Sequence, residues 1–500
     1  AYEFGKARVV YNGALQDNSF DALVDLDAMN AVSNYTQDQV TVSKYKVNTQ
    51  EIRLESMEPV SNFDYTLGLW YQKEKTNSVS GQGNPLFGAF GFSPVGPVDP
   101  AYDLQSLALI PTNDTNTAIY GNLTYHFTDR TSLSVGARRL KQEIDRSDTI
   151  ITSAATVSFP LAFPCFFAGA TDSIKFGPGF CDIGIPADPG TLRNTKKDYN
   201  EWVYQASLKH NFTDDFMGYV SYGHSWRPPG QSVAIFGPIS QDLIFAADKA
   251  EESDSYEVGV RSEWFGKRLR VNGSYFHQDF TNYIGRFNDV PYTQAGGASL
   301  GAAGFTYPGD AVVNGVELEV NYDVSDNWTV NLSTAWADGH FDNARVPCRD
   351  TDKNGVPDGG DIGLLTPGDM TADGVMYCVI SDSIATTPDW QATLQSEYNF
   401  PLFGNEGYVR GLYNYQPENR NAQAGFTRES YGLLNLYAGI RSNDRNWEIG
   451  LWAKNALDEE VLLTSKAAQT AYSLFTPGYQ QVTYTPEREI GLTMRYSFGE

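Results

Sequence analysis

The chain contains no apolar run close to the roughly 18 residues that a membrane-spanning helix requires, so helical membrane proteins are excluded. Residues 1–30 also lack the basic segment followed by an apolar segment that marks a secretory leader. Any residence in a membrane therefore has to depend on strands. Aromatic residues make up 13% of the chain, with 30 Tyr and 28 Phe, and this composition favours strands.

Positive charge is scarce. The chain has 36 Lys and Arg and 61 Asp and Glu, which gives a formal net charge of -25. Nucleic-acid binding needs a basic surface that neutralises phosphates, so nucleic acid is excluded as a partner. Charged residues make up only 19% of the chain, below the roughly 25% of soluble domains.

Catalytic motifs are also lacking. The five histidines are scattered along the chain, mostly within predicted strands, and no HExxH, GxSxG or phosphate-loop pattern occurs. We therefore predict that the protein is not an enzyme. The alternative is a Ser/His or Asp/His group assembled at the rim of a barrel in three dimensions.

Cysteine is limited to four residues, which fall into two local pairs in segments rich in Gly, Pro and Asp: Cys165 with Cys181, and Cys348 with Cys378. An even count in such segments predicts two disulfides and an oxidising compartment. The alternative interpretation is four reduced thiols in a cytosolic protein.

Strict alternation of side chains is the main positive signal. In WVYQASLKHNF the residues Trp202, Tyr204, Ala206, Leu208, His210 and Phe212 share one face, and mostly polar residues share the other. This period of two predicts a strand with one apolar face. About 16 or 17 such segments occur, many of about 9 to 15 residues, longer than the roughly 5 or 6 of ordinary globular strands.

The connections between these segments alternate in length. Short turns are predicted at 128–132, 213–216, 265–268, 325–327 and 442–446, and long loops at about 76–112, 148–196, 227–250, 285–310, 342–384 and 458–480. An up-and-down meander puts its short turns at one end and its long loops at the other, which is typical of outer-membrane barrels. A secreted β-sandwich or solenoid adhesin is the alternative, but it has no reason to sort loops by length. A propeller repeat is not found.

One long loop contains DTDKNGVPDGGD at residues 350–361. Its spacing matches a calcium loop, in which oxygen ligands come from positions 1, 3, 5, 7, 9 and 12 and glycine at position 6 allows a sharp turn. We therefore predict a structural calcium ion held by Asp350, Asp352, Asn354, the carbonyl of Val356, Asp358 and Asp361. The alternative is a solvated acidic turn. Position 12 is Asp rather than Glu, and no flanking helices are predicted.

Several of these segments together resemble the strands of TonB-dependent outer-membrane receptors. They are TQEIRLES (49–56), YGNLTYHFTDRTSLSVGARR (120–139), AEESDSYEVGVRSEWFGKRLRVNGSYFHQDFTNYI (250–284), NGVELEVNYDVSDNWTVNLSTAWADGHF (314–341), TPDWQATLQSEYNF (387–400), AKNALDEE (453–460) and PEREIGLTMRYSF (486–498). The resemblance covers nearly the whole chain in order. It implies an all-β, transmembrane, antiparallel up-and-down barrel of the 22-stranded type with long extracellular loops. Such a barrel is closed by an N-terminal plug domain.

The resemblance further implies a protein of the Gram-negative outer membrane, in contact with lipid, that takes up a scarce nutrient through the TonB complex. Siderophore, cobalamin and carbohydrate all fit, and the nutrient ligand is not specified by the sequence. Residues 1–500 are expected to be the barrel portion, without the plug and the first strands, and residues 342–384 an extracellular loop. The alternatives are a passive barrel channel and a calcium-stabilised surface adhesin.

Aromatic side chains at strand ends and in loops have two interpretations each. Those at strand ends are expected to form interface belts, with a stacking platform for a ligand as the alternative: Trp202, Trp226, Trp264, Trp328, Trp336, Trp447 and Trp452. The loops GNPLFGAFGFSPVGP (83–97) and FPLAFPCFFAGA (159–170) are expected to pack on other loops. The alternative is contact with an apolar ligand or a surface lipoprotein.

Overall fold

The structure is a computed structural model that describes residues 1–25, 38–59, 62–83, 104–147, 149–153, 180–181, 194–229, 249–293, 300–358, 360–385, 387–421, 426–465 and 482–498. Nearly all of its regular structure is strand. Two short 3₁₀ helices, Ile362–Leu364 and Pro367–Asp369, lie in one connection. No helix of the described residues has the length and apolar character needed to cross a membrane.

The strands are numbered in chain order. The first half comprises β1 (Tyr2–Phe4), β2 (Ala7–Asp25), β3 (Asp38–Ser56), β4 (Phe63–Gly83), β5 (Leu104–Thr128), β6 (Thr131–Ser147), β7 (Thr149–Ser153), β8 (Phe180–Cys181), β9 (Asn194–Asn211), β10 (Phe216–Arg227), β11 (Glu251–Trp264) and β12 (Leu269–Thr293). The second half comprises β13 (Leu300–Ser325), β14 (Trp328–Phe341), β15 (Ala344–Pro347), β16 (Tyr377–Ile380), β17 (Trp390–Leu402), β18 (Asn405–Gln416), β19 (Asn419–Asn421), β20 (Phe426–Arg428), β21 (Tyr431–Arg441), β22 (Trp447–Lys454), β23 (Leu462–Ser465), β24 (Val482–Tyr484) and β25 (Glu489–Tyr496).

One antiparallel sheet of 19 strands dominates the fold. Strands β7 and β8 branch from β5, and the other members form a meander in which each strand pairs with the next one of the sheet. The meander confirms the predicted up-and-down topology and the expected number of strands. Among the described residues β1 and β25 are the two edges of this sheet, and they do not pair with each other.

The two faces of the sheet differ in chemistry as the alternation predicts. The face called the apolar face carries exposed Leu67, Leu69, Ile119, Val135 and Leu451, among others. The residues between them point to the opposite side, called the polar face, which carries Glu51, Arg53 and Glu55 on β3. Among the described residues no second layer of strands or helices covers the apolar face, which is therefore free to contact a non-polar environment.

Aromatic side chains border the apolar face near the short turns. Phe63 and Tyr125 have ring centroids 4.6 Å apart, and Tyr125 and Phe127 are 4.8 Å apart. Trp264 and Trp328 lie at the same end of β11 and β14, and both are exposed. Such rings favour the level of lipid headgroups, so this border has the composition of an interface belt.

The short turns lie where the sequence predicts them. Two of the predicted long loops, 76–112 and 285–310, are shorter than predicted, because their ends are paired strand. Strands β4 and β5 stay paired through most of 76–83 and 104–112, and β12 and β13 remain paired from Tyr283 to Thr293. Bulges after Phe280 and Phe287 bend this extension. It persists because its side chains are covered: Val290 and Phe305 are each 1% exposed. The described residues therefore include strands of up to 26 residues, far beyond the predicted length.

Candidate metal centre and polar face

The connection from β14 to β17 folds as a small unit with its own core. Strands β15 and β16 pair as a hairpin, and Cys348 forms a disulfide with Cys378 across a Cα separation of 5.7 Å. The core consists of Ala311, Phe341, Ala344, Val346, Cys348, Leu365, Met376, Cys378 and Ile380. Phe287 and Tyr307 of the β12–β13 extension pack against it. The predicted disulfide at this place is therefore present, and it lies inside the core of the loop.

The second predicted disulfide falls outside what the structure describes. Cys165 lies in the range 154–179, which is not among the described residues. Cys181 is the last residue of β8, but its side chain is not described. The pairing of these two cysteines therefore stays a prediction.

Three carboxylates of the calcium-type motif converge. Asp350, Asp352 and Asp358 each offer an oxygen, and these oxygens lie within 4.8 Å of one another. Asp350 is buried at 4% exposure. Among the described residues no other group of three or more His, Cys, Asp or Glu side chains comes this close together.

The backbone of the loop is shaped around these carboxylates. The Asp350 carboxylate accepts hydrogen bonds from the backbone N–H groups of Asn354 and Gly355, at 3.1 and 2.8 Å. Gly355 has φ +85°, a left-handed conformation that glycine adopts without a steric penalty. The glycine at position 6 thus makes the turn that the spacing predicts, and it folds the backbone around Asp350.

Asp358 closes the other side of the same turn. Its carboxylate accepts from the backbone N–H of Gly360 at 2.9 Å and of Thr351 at 2.8 Å. These donors, the Gly360 N–H foremost, hold the pKa of Asp358 below its usual value, so the group carries full negative charge at neutral pH. Three fixed negative charges within one turn repel one another, and a bound cation would remove that repulsion.

The other predicted ligands are placed differently. Asn354 donates from its amide to Asp352 at 2.9 Å, and its oxygen accepts from the N–H of Val356 at 2.8 Å. Asp361 caps the first 3₁₀ helix by accepting from the N–H of Gly363 at 2.9 Å, and it is not one of the three clustered carboxylates. The donor set that the structure brings together is all oxygen, which suits a hard cation such as Ca²⁺ and not zinc.

The polar face carries paired charges that the sequence reasoning missed. Arg53 contacts Glu51 at 3.1 Å and Glu55 at 3.0 Å, and Tyr120 of β5 donates to Glu51 at 2.6 Å. Farther along the sheet, Arg441 contacts Glu397 at 2.5 Å. The signal was available, because TQEIRLES places Glu, Arg and Glu two residues apart and therefore on one face.

The histidines do not converge on one centre. Each lies beside a polar neighbour, His126 beside Asp64 at 2.6 Å, His210 beside Thr131 at 2.8 Å and His224 beside Asp254 at 3.1 Å, while His277 and His340 contact Asn314 and Asp338. The contacts of His126, His210, His224 and His277 are local hydrogen bonds between neighbouring strands, and His340 lies 3.6 Å from Asp338 of its own strand.

A continuous antiparallel meander with one apolar face and one charged face defines a membrane-barrel protein, and comparison with known proteins gives the family. The model of the TonB dependent receptor-like β-barrel matches residues 2–456. The chain therefore belongs to the TonB-dependent receptor family, whose members are proteins of the Gram-negative outer membrane. This confirms the resemblance, the fold class and the location predicted from the sequence.

Curated relatives are distant and longer. The Catecholate siderophore receptor Fiu of Escherichia coli K12 is 26% identical over 289 residues, which is 56% of this chain and 32% of that protein. The Pesticin receptor of Yersinia enterocolitica is 22% identical over 297 residues, 58% of this chain and 33% of that protein. The matched residues thus span about a third of the length of these relatives.

Solved structures agree on the fold. FyuA from Yersinia pestis, described as the ferric yersiniabactin uptake receptor, has a TM-score of 0.65 at 14% identity, with 100% of this chain and 60% of that chain covered. FecA, a ferric citrate transporter, has a TM-score of 0.57 at 12% identity, with 98% and 59% covered. In a barrel of this family the apolar face is turned to lipid and the polar face lines the lumen.

Proposed function

We propose that the protein is a receptor that takes up a ferric siderophore across the outer membrane, driven by the TonB complex through a plug domain. The observation that carries this proposal is the family match over residues 2–456, together with a lumen wall of paired charges. Of the relatives and structural neighbours reported above, Fiu is named a catecholate siderophore receptor, FyuA a ferric yersiniabactin uptake receptor and FecA a ferric citrate transporter. Cobalamin and carbohydrate are the other nutrients that the sequence allows.

The lumen wall supports transport of a polar, hydrated ligand. Ionised side chains such as Glu51, Arg53 and Glu397 face the lumen and are held in pairs. Burying these ionised side chains against lipid would cost free energy, whereas contact with water or with a polar plug would not. A surface adhesin would need no charged lumen, so this feature favours a transporter over an adhesin.

The test is uptake by the complete gene product in a strain that lacks its own ferric-siderophore receptors. Growth on iron-depleted medium is measured with ferric catecholate, ferric citrate and ferric hydroxamate chelates, in the presence and absence of TonB. The proposal requires growth on at least one chelate that disappears without TonB. TonB-independent growth would identify a passive channel. Absence of growth on every chelate, with the receptor folded in the outer membrane, would exclude siderophore uptake and leave the other nutrients or an adhesin.

We also propose that the loop at 342–384 is extracellular and binds one Ca²⁺ ion for structural support. Asp350, Asp352 and Asp358 would supply carboxylate oxygens, with Asn354, the Val356 carbonyl and Asp361 as the further ligands predicted by the spacing. The convergence of three carboxylates within 4.8 Å supports this proposal. Extracellular calcium modules bind at roughly 10⁻⁴ to 10⁻³ M, so titration calorimetry should cover that range. An Asp350→Asn, Asp358→Asn double variant that binds Ca²⁺ as tightly as the wild type would disprove the site.

Partners beyond TonB and the ligand stay predictions. Contact with a surface lipoprotein is the alternative to loop packing for 83–97 and 159–170, and residues 84–97 and 159–170 lie outside the described part of the chain. Copurification of the complete receptor from its native membrane, with and without Phe166 and Phe167 replaced by Ser, tests this contact.

A further inference from the structure

Four lysines project from the apolar face at the end of β3 and β4 that is remote from the short turns. They are Lys44 and Lys46 on β3 and Lys73 and Lys75 on β4. The register places Lys46 directly opposite Lys75, with Asn48 opposite Lys73 and Asn77 opposite Lys44. Like charges directly opposite each other in an antiparallel pair are destabilising. The sheet therefore maintains an unfavourable arrangement that a bound anion would relieve.

This group, called the lysine patch, has little neutralisation from the protein. Asp17 on β2 contacts Lys46 at 3.0 Å, and both side chains are more than two-thirds exposed, at 69% and 68%. Among the described residues Lys44, Lys73 and Lys75 have no ion pair. Glu74 belongs to the polar face, because it alternates with Lys73 and Lys75. In a chain with a net charge of -25, this concentration of unpaired cations on one surface is unusual.

The same face continues onto β6 and β9. There the Arg139 guanidinium lies 5.6 Å from the ring centroid of Trp202, and Lys141 pairs with Glu143. Aromatic and cationic side chains thus occur together, as they do at membrane–water interfaces, where rings sit at the headgroup level and long cationic side chains reach the polar region.

The depth of the lysine patch matches the border of the lipid. Along β4, Lys73 and Lys75 are ten and twelve residues beyond Phe63, the aromatic residue at the turn end. At about 3.3 Å per residue and a tilt of about 45°, these positions lie roughly 23 and 28 Å above Phe63. The apolar band of an outer-membrane barrel is about 25 Å tall. The lysines therefore reach the headgroup level of the leaflet on the loop side, while Leu69 and Ile52 below them face acyl chains.

A shallow depression connects the lysines with apolar surface. It has a volume of about 400 Å³ and is lined by Leu15, Gln16, Asp17, Lys46, Val47, Asn48, Lys73 and Lys75. Leu15 is 79% exposed at its edge. A ligand here meets ammonium groups and the exposed side chain of Leu15 at once, which fits an amphiphile with an anionic head better than a free ion.

We propose that the lysine patch binds the phosphate group of an anionic lipid headgroup in the outer leaflet of the membrane. Lys73 and Lys75 contribute from β4 and Lys46 and Lys44 from β3, and the acyl chains of the lipid lie along the apolar band below. The site is on the lipid-facing side of the sheet, separated by the wall from the lumen through which a nutrient would pass. It is therefore independent of the transported ligand.

The experiment uses the complete receptor in detergent, with phosphorylated lipid A as the probe and its dephosphorylated form as the comparison. A triple variant, Lys44→Gln, Lys73→Gln and Lys75→Gln, removes the unpaired charges. Each lysine near an anionic lipid contributes roughly a fivefold gain in affinity, so the variant should bind phosphorylated lipid A on the order of 100-fold more weakly. The matched control, Lys6→Gln, Lys267→Gln and Lys454→Gln, removes the same charge elsewhere and should bind like the wild type.

Asp17→Asn provides a second variant that leaves every lysine in place. Because it frees Lys46 from its ion pair, it should tighten binding of phosphorylated lipid A a few-fold. The proposal is overturned if the triple variant binds like the wild type, if Asp17→Asn has no effect, or if the dephosphorylated lipid binds equally well. It is also overturned if inorganic phosphate displaces the lipid at an equal concentration, because the patch would then be a site for a free anion.

Discussion

Cys348 is bonded to Cys378 in the buried core of the loop, and the bond encloses the acidic turn and both 3₁₀ helices in a segment of sequence separation 30. The backbone reinforces this closure, because the N–H of Cys348 donates to the carbonyl of Met376 at 3.2 Å. The disulfide and the hairpin of β15 and β16 thus belong to one packed unit, against which Phe287 of β12 and Tyr307 of β13 lie.

Removing the disulfide should loosen this unit and leave the sheet intact. On the chain-entropy model a closed loop of about 30 residues is stabilised by about 3.5 kcal/mol, so Cys348→Ala with Cys378→Ala should expose 342–384 to protease. Limited proteolysis followed by mass mapping measures this. A reductant should have the same effect on the wild type and none on the double variant. Equal protection of 342–384 in both proteins would show that the core alone holds the loop.

Chelation of calcium should act on the same segment through the acidic turn. Without the cation, Asp350, Asp352 and Asp358 repel one another, so EGTA should increase proteolysis within 342–384. The control variant Asp326→Asn removes an exposed carboxylate in a short turn and should respond to EGTA like the wild type. The double variant Asp350→Asn, Asp358→Asn should not respond. A loop that is equally protected with and without calcium would contradict the proposed structural role.

Acid should weaken the loop through Asp369. The Lys353 ammonium, followed by the hydroxyl and N–H of Thr366, lowers the pKa of Asp369 from 3.8 to about 2. Because the folded-state pKa is depressed, this carboxylate stabilises the loop above about pH 4 and loses its contribution as the pH falls toward 2. Asp369→Asn should therefore accelerate hydrogen exchange of 353–369 at pH 7. A difference from the wild type that persisted unchanged at pH 2 would contradict this assignment.

The two faces of β4 allow a matched test of lipid exposure. Leu67 is 56% exposed on the apolar face, and Thr66 is the adjacent residue on the polar face. Leu67→Lys should cost about 2–4 kcal/mol of unfolding free energy near the middle of the bilayer. Thr66→Lys, facing the lumen, should cost less. Denaturant unfolding in lipid vesicles measures both, and an equal cost would mean that the faces are assigned wrongly.

The charged wall can be tested at Arg441. This side chain is 23% exposed and contacts Glu397 at 2.5 Å and Glu406 at 2.7 Å. Replacing Arg441 by Met should cost about 2 kcal/mol, in the range for hydrogen bonds to charged groups. Adding Glu397→Gln should recover part of that loss, since one unpaired carboxylate is then removed. Additive losses in the double variant would show that the two residues act independently.

Side-chain period and turn chemistry were sufficient to predict the meander. The alternation of Trp202 to Phe212 and the short turn at 213–216 both depend on local sequence, which is why they agree with β9, β10 and their connection. The position of Gly355 could likewise be predicted, because a left-handed turn between acidic residues depends on residues close in sequence.

Features that depend on pairing between distant segments could not be predicted in this way. The lengths of β12 and β13 depend on contacts with the 342–384 loop, such as the bridge between Tyr292 and Val375 and the hydrogen bond from the Thr293 N–H to the Gly374 carbonyl, and sequence alternation contains no information about them. The position of Lys46 opposite Lys75 depends on the register of β3 and β4. The role of Asp361 as a helix cap was missed because calcium-loop spacing and a 3₁₀ cap require the same residue type.

The buried core of the 342–384 unit, which it shares with β13 and β14, also bears on how the surface of this protein can change. Val356, Leu364 and Val379 are exposed at its exterior, while the residues that hold it together are buried beneath them. On the proposed extracellular position of this loop, substitutions at these three positions would change its outer surface without altering the residues of its buried core. The exposed surface and the buried core of this loop thus consist of different residues, so the surface can change while the core is retained.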